Sequence, residues 1–152
     1  MRKIAFILAV ITAVFCLVAC SGGKEEETTK EPVSTGATGA TVKDIACSVI
    51  TMDEKGFKTR IVEVIYGTVT NEDGRDVTVL DAVKKLFDEN DVKYSVENDR
   101  IISIRGKEEN VSDGYEYIWE FKINGHEITT PANETLVGEE DHIIYYLTPH
   151  KQ

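Results

Sequence analysis

The chain has 152 residues and a formal net charge of -10, which leaves room for one domain of about 100 residues once a leader is set aside. An acidic chain with no cluster of Lys and Arg repels phosphate backbones, so nucleic acid is excluded as a partner. Cys16 lies within the leader and Cys20 at its end, so Cys47 is the lone thiol of the domain and neither an internal disulfide nor a thiolate zinc cluster can form.

Met1-Arg2-Lys3 is a short positive start, and residues 4–18 are apolar apart from Thr12. That stretch suits translocation but is short for a bilayer span of ~20 residues, so residues 1–19 are expected to be a signal peptide. Leu17-Val18-Ala19-Cys20 follows directly and resembles the lipobox of bacterial lipoproteins. The resemblance implies that Cys20 receives diacylglycerol and that the product is extracytoplasmic and anchored to the cell membrane by its lipid. Each buried methylene of such chains contributes about 0.8 kcal/mol, enough for stable anchoring when two or more are present. Residues 20–43 carry Glu25-Glu26-Glu27 and many Gly, Ser and Thr but no apolar period, so they are expected to be a flexible tether ahead of a domain at 44–150.

Residues 45–52 and 59–66 are rich in branched side chains and are separated by Asp53-Glu54-Lys55-Gly56, the pattern of a β-hairpin. After the loop Asn71-Glu72-Asp73-Gly74, Thr78 can cap a helix whose third residue is Asp81, a carboxylate at the positive helix end. Leu80, Val83 and Phe87, with Ala82 and Leu86, form its apolar stripe, and the helix is expected to end near Asn90. Residues 92–96 and 100–105 predict a second hairpin through Asn98-Asp99, both tolerant of left-handed backbone. Tyr115, Tyr117, Trp119, Phe121 and Ile123 alternate with Glu116, Ile118, Glu120 and Lys122, which predicts a strand with one aromatic, core-facing side. Asn124-Gly125 signals a tight hairpin turn into residues 126–130, and a last strand at 142–148 is expected to close the sheet. Two strands, one helix and several further strands give an α+β class, β-grasp-like, with one helix packed on a mostly antiparallel mixed sheet.

No catalytic constellation emerges, and an enzyme is not expected. Ser95, Ser103 and Ser112 lack a nucleophile elbow or a Gly-rich oxyanion turn. His126, His142 and His150 form no spaced pair that would ligate a metal, so no metal site is expected and all three are read as solvent-exposed.

From residue 77 onward the chain resembles the bacterial domain of unknown function (DUF4430-like) related to the C-terminal domain of transcobalamin and intrinsic factor. Val77-Thr78-Val79-Leu80-Asp81-Ala82-Val83 is similar to that family's helix start. Trp119 followed by Asn124-Gly125 is similar to its hairpin, and residues 136–146 to its closing Gly-acid-x-Ile strand. The sequence departs from the pattern in the longer run Glu139-Glu140-Asp141-His142 between Gly138 and Ile143, and in Tyr145 where tryptophan is common. The resemblance implies a β-grasp-like fold and a ligand-binding rim drawn from Tyr115, Trp119, Asn124, Gly125, His126, Tyr145 and Tyr146, covering the flat face of cobalamin or a related corrinoid. No other cofactor is implied. The cobalamin carriers add a large helical domain that this chain does not match, which implies weaker binding or a partner such as a transporter. The alternative function is a surface module for adhesion or assembly, with an exposed sheet edge or the Asn124-Gly125 hairpin docking onto another protein by strand addition.

Overall fold

The computed structural model describes residues 41–152. The expected signal peptide, the lipidation of Cys20 and the tether up to residue 40 lie outside the described residues. Strand β1 (Thr41–Met52) and strand β2 (Lys58–Thr70) form the first hairpin. β1 opens three residues ahead of the boundary expected at 44, because Val42 is fully buried against the core. Its register with β2 slips at three places, and Asp44 takes a positive φ of 57° at the first of them. Such bulges bend and twist a strand.

Helix α1 (Val79–Glu89) forms as its sequence signals require. The Thr78 hydroxyl accepts from the Asp81 amide at 3.2 Å, and an Asp81 oxygen accepts from the Thr78 amide at 3.2 Å and the Thr78 hydroxyl at 2.8 Å. This reciprocal box satisfies donors that the first helical turn leaves without partners. Val79, Leu80, Ala82, Val83, Leu86 and Phe87 are buried on one side of the helix. Where α1 crosses β2, a Cβ added at Gly67 would stand only 2.6 Å from Leu86 Cδ2, so the helix sits closer to the strand than any side chain at 67 permits.

Strands β3 (Tyr94–Glu97), β4 (Arg100–Ile104) and β5 (Lys107–Glu108) make a small antiparallel sheet. Its first turn has φ of 48° at Asn98 and 58° at Asp99, as the residue types predict. Strands β6 (Asn110–Ser112), β7 (Tyr115–Ile123), β8 (His126–Glu127) and β9 (His142–Lys151) join the first hairpin in a six-stranded sheet of order β2-β1-β9-β7-β6, with β8 on the end of β7. Asn124 and Gly125 have φ of 52° and 83°, the two left-handed residues of the expected turn. The strand after them is far shorter than the 126–130 expected.

The last strand completes the sheet from within: β9 lies in the middle, antiparallel to β7 and parallel to β1. The fold is therefore α+β, dominated by a mixed sheet with a single parallel pair at its centre. Register assigns the two faces. Cys47, Val49, Ile143, Tyr145, Leu147, Trp119, Phe121 and Ile123 share the side that packs beneath α1 and the small sheet. Phe121 and Tyr145 stack there with ring centroids 5.6 Å apart. Both α1 and the small sheet lie on this side, so among the described residues no element covers the opposite face.

Candidate functional site

The three turns at one end of the large sheet face one another because β1 ends there, β2 and β7 begin there, and β4 returns beside them. The turn Asp53 to Phe57 joins β1 to β2, Arg105-Gly106 joins β4 to β5, and β6 leads into β7. Between them lies a cleft of about 510 Å³, within the size range of small-molecule sites. Met52, Phe57, Tyr117 and Leu147 supply its apolar surface, while Thr51, Thr59, Lys107 and Asn110 supply polar groups. Phe57 is 70% exposed at the rim. Its ring adds apolar surface at the mouth of the cleft.

Polar contacts fix the cleft walls. The Tyr117 hydroxyl donates to a Glu54 carboxylate oxygen, tying the hairpin tip to β7. That acceptor holds the Tyr117 proton and pushes its pKa up to about 12, and the same bond draws the Glu54 carboxyl below its ordinary value. Asp53 turns its own carboxylate inward, accepting from the Lys55 amide at 2.9 Å and the Phe57 amide at 2.8 Å. On the other wall the Trp119 indole N–H donates to the Lys107 carbonyl at 3.2 Å. The Trp119 amide donates to Glu109 Oε1 at 2.9 Å, and Arg100 pairs with the same carboxylate at 2.6 Å. Trp119 thus stands behind the cleft and positions it.

The structure separates the residues that sequence reasoning grouped into one rim. Tyr115 begins β7 at the cleft end of the sheet, whereas Asn124, Gly125 and His126 sit at its far end, nine strand residues away or about 30 Å. Tyr145 faces the core, where burial pushes its pKa up, and Trp119 is buried on the same side. Tyr146 follows Tyr145 in the strand and so faces the opposite side, half-buried, with Lys122 Nζ 5.3 Å from its ring centroid. Burial, then the nearby Glu120 and Glu127 charges, push its pKa up to about 12. Asn124 serves the fold: its amide donates to Asp141 Oδ1 at 2.7 Å, and its carbonyl oxygen accepts from the His142 amide at 2.9 Å.

His142 also departs from the exposed position expected, being half-buried with Nε2 3.2 Å from Ser48 Oγ. His126 and His150 are exposed. The cleft residues Met52, Phe57, Thr59 and Lys107 escaped the sequence reading. Their only signal was an aromatic directly after a tight turn, and no local pattern says that three turns meet. Cys47 is buried, and burial pushes its thiol up to about 12, which suits packing and not reactivity. Among the described residues no three His, Cys, Asp or Glu side chains cluster to hold a metal, and no helix is long and apolar enough to cross a membrane.

Residues 76–149 match the sequence profile of a family described as a domain of unknown function (DUF4430). The match runs from just before α1 into β9, while β1 and β2 lie outside it. No curated protein matches the chain. Among solved structures, a candidate metal binding protein from Ruminococcus gnavus ATCC 29149 is similar at 17% identity with a TM-score of 0.44, covering 71% of this chain and 98% of that one.

Proposed function

We propose that this chain, whose residues 76–149 match the DUF4430 family profile, is a lipid-anchored extracytoplasmic lipoprotein that binds a small ligand without turning it over, a corrinoid foremost. The observation that carries the reading is the cleft at the hairpin end of the sheet and its place relative to the anchor. Cys20 leads into the domain at Thr41, the start of β1, and the cleft lies past Met52 at the other end of that strand, about 35 Å away. The cleft thus lies at the end of the domain away from its attachment point. The central parallel pair β1–β9 with one helix laid across the sheet supports the β-grasp assignment that the family resemblance carries. Phe57, Tyr117, Met52 and Leu147 would meet the apolar plane of a corrin, and Thr51, Thr59 and Asn110 its peripheral amides. The cleft is smaller than such a ligand, so it covers one face and leaves the other to a transporter or second protein.

The adhesion or assembly alternative, through strand addition, draws less support from the sheet edges. β2 is interrupted by register slips, and Arg105 Nη1 donates to the Ile61 carbonyl at 2.8 Å, occupying a group an added strand would need. At the other side the Trp119 amide is taken by Glu109.

The test is equilibrium dialysis of the full chain, purified with its anchor in detergent, against cobalamin. Retention with a shifted visible spectrum is expected, and Phe57→Ala with Tyr117→Phe should weaken it at least tenfold. Absence of retention at about 50 µM protein would refute a corrinoid ligand.

A further inference from the structure

The largest feature that the cleft does not use is the bare face of the six-stranded sheet. Register puts Tyr66, Ile50, Ile144, Tyr146, Ile118 and Val111 on it, across all five strands of the main path. Tyr66 is 70% and Val111 63% exposed, and the other four are half-buried. Monomeric proteins rarely leave an apolar patch of more than a few hundred Å² in water. This face measures about 25 by 30 Å from strand spacing and rise, close to the ~800 Å² per partner of a standard specific interface.

We infer that this face packs against the same face of a second copy of the chain, sheet on sheet, with both copies pointing the same way. Its charges favour a copy over a lipid surface. Glu116, Glu120 and Glu127 share the face with Lys58, Arg60 and Lys122, so it carries no excess of basic residues to draw anionic headgroups. The acids and the lysine stand within one patch, with Lys122 Nζ 2.9 Å from Glu127 Oε1. A two-fold axis can therefore set each copy's lysine against the other's carboxylates, as a self-complementary interface requires.

Orientation follows from the tether and rests on the lipid-anchored reading. Two copies held by the same membrane both enter at Thr41, and an axis along the strands sets the two entry points side by side, giving an aligned sandwich with both clefts at the same end. An axis across the strands would carry one copy's Thr41 to the far end of the pair.

Sedimentation of the lipidated full chain in density-matched detergent tests the interface. A mass of two chains is expected for the native sequence and for Lys84→Glu on the exposed side of α1, and one chain for Tyr146→Asp. Lys122→Glu, at a partly exposed side chain, should leave the circular dichroism and melting curve unchanged while weakening the dimer at least tenfold. Spin labels at Thr41→Cys should lie about 10 to 20 Å apart across the pair, given a sheet spacing of ~10 Å. A single-chain mass at 100 µM on the order of the tightest loading, a dimer indifferent to both face variants, or label separations beyond ~30 Å would overturn the inference. The N-terminal mass of the same preparation checks the anchor independently. Failure of that reading appears as an unmodified Cys20, and failure of the interface as a lone chain.

Discussion

Replacing Gly67 by alanine sets two general effects against each other. A glycine within a strand ordinarily costs about 0.5 to 1 kcal/mol relative to alanine because of its freedom in the unfolded chain, so Gly67→Ala should stabilise if backbone entropy decided the matter. The added methyl, however, would lie 2.6 Å from Leu86 Cδ2, where carbon atoms prefer ~3.5 to 4 Å. Leu86 is fully buried, so its methyl has no solvent to turn into. Either α1 lifts from β2 or the leucine leaves its rotamer, at about 1 to 3 kcal/mol for overpacking. The net expectation is a loss of ~0.5 to 2 kcal/mol, or roughly 3 to 12 °C in melting temperature for a domain of this size. Denaturant titration and calorimetry of Gly67→Ala, of Leu86→Ala and of the pair measure it. In the Leu86→Ala background the clash is gone, so the alanine at 67 should become neutral or stabilising. A Gly67→Ala variant as stable as the native chain would refute the close packing of helix on strand.

Four further outcomes follow from particular side chains. Thr78→Ala removes both hydroxyl contacts of the capping box and should cost about 0.5 to 2 kcal/mol in denaturant titration. The Asp81 carboxyl is partly buried, which raises its pKa, but the Thr78 hydroxyl, Arg75, the Thr78 amide and Asn71 outweigh burial and hold it below its ordinary value. Its stabilising contribution is therefore present above the unfolded value near ~3.9 and lost as pH falls through the folded one, so Asp81→Asn should flatten the acid limb of the stability curve below pH ~4. Burial raises the Cys47 thiol to about 12, so its contribution holds below the unfolded value near ~8.5 and fades as pH rises toward the folded one. A thiol reagent at pH 9 should accordingly react at the rate of unfolding, which a comparison with urea-unfolded chain will show. Asn124→Ala loses the bonds to Asp141 and His142 and places a side chain at φ 52°. A loss of ~2 to 4 kcal/mol is expected, whereas Asn124→Gly, free of the backbone penalty, should lose less.

Local signals carried local structure. The Thr78 and Asp81 pair marked the helix start, Asn98-Asp99 and Asn124-Gly125 marked two turns, and the alternation from Tyr115 to Ile123 named the core face of β7. What escaped depends on residues far apart in the chain. Nothing in 142–151 announces that the strand lies between β1 and β7, because a parallel partner leaves no turn in the sequence. The rim failed for a simpler reason: Tyr145 and Tyr146 are neighbours in a strand and must face opposite sides, and nine residues of extended chain separate Tyr115 from Asn124. The cleft needs three turns brought to one end by the sheet order, which only the fold supplies.

The central place of β9 bears on how the molecule is made. Every hydrogen-bonded ladder that joins the first hairpin to β7 passes through β9, so the sheet cannot be completed before residues 142–151 are in place. Pairings so distant form slowly and late. Until that strand arrives the two parts of the sheet remain separate, and its insertion joins them.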